Sequence, residues 1–183
     1  KAADGSEGEE IELKADPDGP LVAQVFKTRV DPFVQKLNFV RVFSGTLRKD
    51  SNVSVVGERK AVKLAQLLHM QAEDSEPIDE AVPGAIVAVA KVEELQTGST
   101  IGEWTLPPIR FPTPMVGLAA TPKSRGDEAK LSGALTKITQ EDPTFRVDRD
   151  PQTKEMVITG MTELHLQIIR ERLKRRDKVE VET

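Results

Sequence analysis

A chain of 183 residues with a net charge of −4, 38% of it apolar and 31% charged, has the make-up of a soluble globular protein with room for one large domain or two small ones. The acidic balance argues against a general nucleic-acid binder, whose affinity comes from Lys and Arg neutralising phosphates, yet it leaves room for local basic patches. Cysteine is absent, which excludes disulfides and thiolate metal sites; there is no run of about 18 apolar residues, and no secretory leader is expected.

The sequence opens on Lys1 rather than Met, which points to a piece of a longer chain. Asp4, Glu7, Glu9, Glu10 and Glu12 stand among Gly and Ala, with too little apolar surface to offset ordering entropy, so residues 1–15 are expected to be a tail or linker. Residues 16–105 follow an all-β pattern. Leu21 to Phe26 is a strand, Asp31-Pro32 a break, and Leu37 to Phe43 an alternating strand with Phe39, Arg41 and Phe43 on one face, ending at Ser44-Gly45. Val53 to Val56 and the apolar run Ala61 to Leu68 come next. Glu73 to Glu80 is expected to be an acidic connection, leading through Pro83-Gly84 to a wholly apolar strand over Ala85 to Val92. Thr97-Gly98 is the last turn before Thr100-Ile101. Short strands with this punctuation predict a small closed β-barrel, a form that removes exposed strand edges.

Leu106-Pro107-Pro108 is stiff, and residues 106–111 are expected to link the barrel to a second domain over 112–183. Pro114 to Ala120 is a strand. Ser124, three residues before Asp127, is expected to open a helix with Ala129, Leu131, Leu135 and Ile138 as its apolar stripe, and Pro143 follows its end. Thr144 to Asp148 and Glu155 to Thr159 form a hairpin across Asp150-Pro151. Thr162 caps a second helix with Leu164, Ile168, Ile169 and Leu173 on its apolar face, and Lys178 to Val181 is a last short strand. The order βαββαβ is that of a ferredoxin-like domain.

Chemistry is sparse in these residues. No Gly-x-x-x-x-Gly-Lys-Ser/Thr spacing occurs, so no P-loop can wrap a phosphate, and the chain is not expected to be an enzyme. His69 and His165 fall in different domains with no ligand spacing, so no metal is expected. Asp142, Asp148 and Glu163 carry no pattern that demands acid–base work. Arg170, Arg172, Lys174, Arg175, Arg176 and Lys178 cluster at the end of the second helix. There they complement the helix dipole or form a patch for RNA or an acidic protein surface. Lys36, Arg41 and Arg48 around the first hairpin are equally two-sided.

Several stretches are more particular. Glu141-Asp142-Pro143-Thr144-Phe145-Arg146-Val147 and Gly160-Met161-Thr162-Glu163-Leu164-His165-Leu166-Gln167-Ile168-Ile169 resemble motifs of domain III of the elongation factor G family. Phe111-Pro112-Thr113-Pro114-Met115-Val116 is similar to the opening of that domain, and Pro122-Lys123 with Asp127, Lys130 and Leu131 fits it too. Asp31-Pro32-Phe33, Lys36-Leu37, Arg41-Val42-Phe43-Ser44-Gly45 and Thr97-Gly98 resemble domain II of the same ribosomal translocases. The resemblance covers essentially the whole chain in order. Thr162, Gln167, Gly84-Ala85, Ser99 and the Lys174-Arg175-Arg176-Asp177 helix end depart from the family pattern. They fit either the main translocase or a diverged paralogue.

The resemblance implies a noncatalytic central fragment, domains II and III, of a cytoplasmic GTPase that moves tRNA and mRNA through the ribosome. GTP and Mg would belong to a domain this chain lacks. Implied partners are small-subunit ribosomal RNA and protein, the parent's GTPase domain and its domains IV and V, with the fragment itself monomeric. Lys36, Arg41, Arg48, Arg172, Arg175 and Arg176 become candidate RNA or ribosome contacts, where positioning rather than base readout is the expected role. Pro112, Pro114, Asp142, Pro143, Thr144, Leu164 and His165 match the family's fusidic-acid pocket and interdomain hinge. Two alternatives stay open: a related translational GTPase of ribosome recycling, protection or peptide release, and a ligand-sensing ferredoxin-like module.

Overall fold

The computed structural model describes residues 12–31, 35–72 and 74–183. The first eleven residues of the expected tail, and Pro32 and Phe33 of the Asp31-Pro32-Phe33 motif, lie outside the described residues. The chain divides into two compact units between Ile109 and Arg110.

Among the described residues the elements of the first unit are all strands: β1 (Val22–Asp31), β2 (Gln35–Ser44), β3 (Leu47–Arg48), β4 (Ser51–Val53), β5 (Val62–Leu64), β6 (Leu67–Gln71), β7 (Asp74–Ile78), β8 (Glu80–Ala81), β9 (Ile86–Ala90) and β10 (Thr100–Gly102). A six-stranded antiparallel sheet runs β10-β1-β2-β9-β6-β7. It closes through chain continuity. β5 runs on into β6 and pairs with β4, and Val55, just beyond β4, bridges to Ile101 in β10. Ala23, Val25, Val40, Val42, Leu64, Leu67, Val87, Val89 and Ile101 fill the interior, as period-2 alternation puts every second side chain on one face.

Two expectations need correction here. The apolar run Ala61 to Leu68 is split between β5 and β6, with Ala65 and Gln66 between them. The acidic connection contains a strand, β7, paired with β6 along its length. Its Pro77 and acidic side chains suit a sheet edge, where a missing backbone donor and charge do no harm.

The interior also holds hydrogen-bonded polar groups. The Thr28 hydroxyl donates to Asn38 Oδ1 (3.0 Å), and Asn38 Nδ2 donates to the Val92 carbonyl (3.0 Å). Gly102 is fixed by close approach: its φ is +118°, and a Cβ there would stand 1.9 Å from the Leu21 carbonyl oxygen.

The second unit contains β11 (Val116–Ala119), β12 (Thr121–Pro122), α1 (Glu128–Glu141), β13 (Arg146–Arg149), β14 (Met156–Gly160), α2 (Glu163–Arg172) and β15 (Val181–Glu182). β11 and β12 follow one another, separated by Ala120. β11 pairs with β14, β12 with β15, and β14 with β13, so the spatial order is that of a ferredoxin-like βαββαβ domain. Leu131, Ala134, Leu135 and Ile138 from α1 share one core with Leu166, Ile169 and Ile158.

Three local readings change. Ser124 makes no side-chain cap; a 3-10 turn over Arg125–Asp127 precedes α1, closed by the Asp127 amide donating to the Ser124 carbonyl (3.0 Å). Ala129 is exposed and Ala134 takes its place in the α1 stripe. The buried face of α2 and the turn after it is Leu166, Ile169 and Leu173, whereas Leu164 and Ile168 are 63% and 49% exposed. Thr162 does cap α2, its hydroxyl accepting from the His165 amide at 3.0 Å.

Candidate functional site

Three of the residues matched to the hinge, Asp142, Thr144 and His165, come together at the junction of the two helices. α1 ends at Glu141, because Asp142 is extended and Pro143 cannot continue a helix. Asp142 Oδ1 accepts from both the Thr144 amide (2.8 Å) and the Thr144 hydroxyl (2.6 Å), an Asx turn that fixes the carboxylate. Its other oxygen, Oδ2, meets His165 Nε2 at 3.0 Å. On the far side of the ring the Met161 amide donates to His165 Nδ1 (3.1 Å). That bond leaves Nδ1 as the acceptor, so Nε2 carries the proton and donates to Asp142. Phe145, buried, stands edge-on to the imidazole with centroids 6.5 Å apart. Burial alone would push the Asp142 carboxyl up. The Thr144 hydroxyl and amide, and then His165, outweigh it and hold the group below its ordinary range.

The neighbouring carboxylate performs a second closure. Glu141 Oε2 accepts from Arg172 Nη1 (3.3 Å) and Arg176 Nη1 (3.2 Å), and Arg176 Nε also donates to Asp177 (3.2 Å). Consecutive acids at the end of α1 therefore hold α2 near its start and the turn that follows its end. Two of the expected basic contacts are spent on this clamp; Arg175 is exposed and makes no ion pair among the described residues. Glu141 had no role in the sequence reading, although it stands in the motif beside Asp142.

The other matched positions are more scattered. Pro114 is buried and Pro112 exposed on the approach to β11, where the Met115 amide donates to the Gly160 carbonyl (3.0 Å). Pro143 is half-buried, and Leu164 turns outward beside His165 rather than joining the core. A groove of about 570 Å³ lies elsewhere, against α2 and β15, lined by Lys123, Gln167, Arg170, Lys174 and Glu180. Its charges answer one another: the ammonium groups of Lys174 and Lys123 hold the Glu180 carboxyl down at about 2.

In the barrel the expected trio separates. Lys36 is only 4% exposed; its ammonium donates to the Glu93 carbonyl at 2.8 Å, with burial pulling its pKa down against Glu93 and Glu94. This corrects its reading as a surface phosphate contact. Arg48 is exposed but pairs with Glu80 across β3 and β8. Arg41 is exposed, lies 5.8 Å from the centre of the Phe43 ring and makes no ion pair among the described residues.

Two family descriptions match the chain: "Elongation factor G domain 2" over residues 20–103 and "Elongation Factor G, domain III" over residues 111–183. Among curated proteins it is 39% identical over 181 residues to elongation factor G of Mycoplasma pneumoniae, covering 97% of this chain and 26% of that protein. It is 41% identical over 177 residues to elongation factor G of Chlamydia trachomatis, covering 94% of this chain and again 26% of the relative. A crystal structure of a Thermus thermophilus protein superposes with a TM-score of 0.78 at 37% identity, over 90% of this chain and 26% of that one. The chain thus spans about a quarter of the length of the relatives it matches.

Proposed function

The chain belongs to the elongation factor G family through both of its domains, and on that premise we propose that it is the noncatalytic centre of a translational GTPase working in the cytoplasm. The barrel docks on small-subunit ribosomal RNA, with Arg41 as one of its contacting cations. The ferredoxin-like domain relays the nucleotide state held by a GTPase domain elsewhere in the parent, as tRNA and mRNA move through the ribosome. GTP and Mg belong to that other domain.

The observation that carries the reading is the bond between Asp142 and His165. It ties the family-like segment Glu141–Val147 to the family-like segment Gly160–Ile169, so the most particular stretches of the sequence form one node. A carboxylate, an imidazole and a helix cap at the meeting point of two helices suit an element that is read by a neighbouring domain. Pro112, Pro114, Pro143, Thr144 and Leu164 surround the same reading as hinge contacts. Arg175 is the second candidate cation. The parent's GTPase domain, its domains IV and V and a small-subunit protein are the remaining partners, and the chain alone is monomeric.

Competition tests this. Added to ribosomes with full-length elongation factor G, the chain should displace it weakly, lose that effect as salt rises, and hydrolyse no GTP. Absence of ribosome binding at low salt, or a tightly held metabolite found without ribosomes, would overturn the reading.

A further inference from the structure

The outer face of a small barrel is normally polar, but around Arg41 it is not. Phe26, Phe43 and Ile86 are 39%, 37% and 49% exposed. The strand register explains how they gather. Gln24, Arg41 and Ile86 form one row across β1, β2 and β9, because Gln24 pairs with Arg41 and Arg41 with Ile86. Between Val22 and Ala23 the pairing shifts and β2 gains an extra residue, Phe43; between Val25 and Lys27 it shifts again and β1 gains Phe26. The extra residue of each bulge is thus an exposed aromatic, and bulges re-aim the side chain they insert. The two phenylalanines flank the row and, with it, line a cleft of about 260 Å³.

The cleft has three kinds of contact to offer. Phe26 is braced from behind by Phe39, ring centres 6.4 Å apart and tilted by 51°. The Arg41 guanidinium lies by the Phe43 ring with its charge unpaired among the described residues. Gln24 donates its amide to the Pro107 carbonyl (3.2 Å), which leaves its own carbonyl oxygen as an acceptor. No carboxylate lines the cleft, and Lys27 is exposed next to Phe26.

We infer that this cleft holds a single unstacked base of RNA between Phe26 and Phe43, with Arg41 on the adjoining phosphate and the Gln24 carbonyl accepting from the base edge. Aromatic faces stack on any base, and a guanidinium serves both as a stacking plane and as a phosphate ligand. The cleft is the size of one flat ring rather than of a protein interface, and its only charges are positive. The inference rests on the docking of the barrel to ribosomal RNA and names the contact by which it docks.

The test compares hexa-adenylate with an abasic ribose-phosphate chain of the same length, titrated into the 183-residue chain and followed by NMR at the Phe26 and Phe43 rings and the Ile86 methyls. The base-bearing chain should shift these signals and bind about tenfold tighter than the abasic one. Phe43→Ala should lose that tenfold, about 1.4 kcal/mol, while Phe43→Trp retains it and so separates stacking from damage to the barrel. Equal binding of the two chains, or no shift at these residues, overturns the inference. So do shifts produced by the parent's GTPase domain and not by hexa-adenylate, which would make the cleft a protein interface. Binding to small subunits is measured alongside. If unsubstituted chain binds subunits and ignores the bases, the cleft alone is misassigned; if it binds bases but not subunits, the docking reading fails.

Discussion

In the barrel three cations are settled separately: Lys36 is drawn inward to the Glu93 carbonyl, Arg48 reaches across to Glu80, and Arg41 is left lying on a phenylalanine. In the second unit Arg172 and Arg176 converge on one carboxylate, Glu141, while the next residue, Asp142, gathers Thr144 and His165. The contrast follows from architecture. Strand pairing sets Arg48 against its cross-strand neighbour Glu80, while Lys36 meets a carbonyl beyond β9 and Arg41 a ring two residues along its own strand, so each cation has its own contact. Helix ends leave backbone groups and charges to be shared, so a few acids at the end of α1 can hold a whole second helix. In the barrel, Arg41 is an exposed cation with no ion pair among the described residues. The second unit is a set of shared bonds at which an outside event could act.

The most severe disruption belongs to the barrel. Gly102→Ala places a methyl against the Leu21 carbonyl at a backbone angle that alanine resists, and should cost about 3 kcal/mol in urea unfolding. Gly160→Ala, the matching test in the second unit, should cost less, because the added carbon meets side chains, Leu166 Cδ2 at 2.8 Å and His165 Nδ1 at 3.0 Å, rather than backbone.

Asp142→Asn should cost about 2 kcal/mol near neutral pH by weakening bonds to Thr144 and His165. Its pH dependence gives the sharper signature. The Asp142 carboxyl is held below its ordinary value of 3.8, so its contribution is complete above that pH and is lost as pH falls through the folded-state value. The gap between native chain and variant should therefore close in acid. A gap that persists unchanged would remove Asp142 from the centre of the node.

Glu141→Ala should cost about 1.5 kcal/mol, since it strips a partly buried Arg176 of a partner whose own side chain is only 11% exposed. Arg48→Ala, at an exposed pair, should change stability by less than about 0.5 kcal/mol. Equal losses at these two sites would erase the distinction between shared and solitary pairing.

How much of this could be read from sequence varies with the kind of interaction. The two architectures and the Thr162 cap followed from periodicity and punctuation, which are local. β7 did not, because Asp74-Ser75-Glu76-Pro77 has poor strand propensity and is paired only by virtue of its place at an edge. Lys36 was a candidate RNA contact through the family resemblance; nothing local reveals that the Glu93 carbonyl waits 57 residues on. The spacing of α2 misled for a related reason. Leu164 and Ile168 form a plausible stripe, but the sheet lies under Leu166 and Ile169. Asp142 and His165 were joined only through family resemblance, since 23 residues and a hairpin separate them. The alternation of Phe39, Arg41 and Phe43 already marked an aromatic and basic face. The bulges that aim Phe26 and Phe43 depend on pairing between strands, and no single strand's pattern shows them.

The division of labour between the units is tested most directly by binding of the chain to isolated small ribosomal subunits, compared with Arg41→Glu and Asp142→Asn. A barrel that docks and a second domain that relays predict that Arg41→Glu weakens binding at least tenfold while Asp142→Asn leaves it unchanged. Undiminished binding by Arg41→Glu, or a loss confined to Asp142→Asn, would contradict the account.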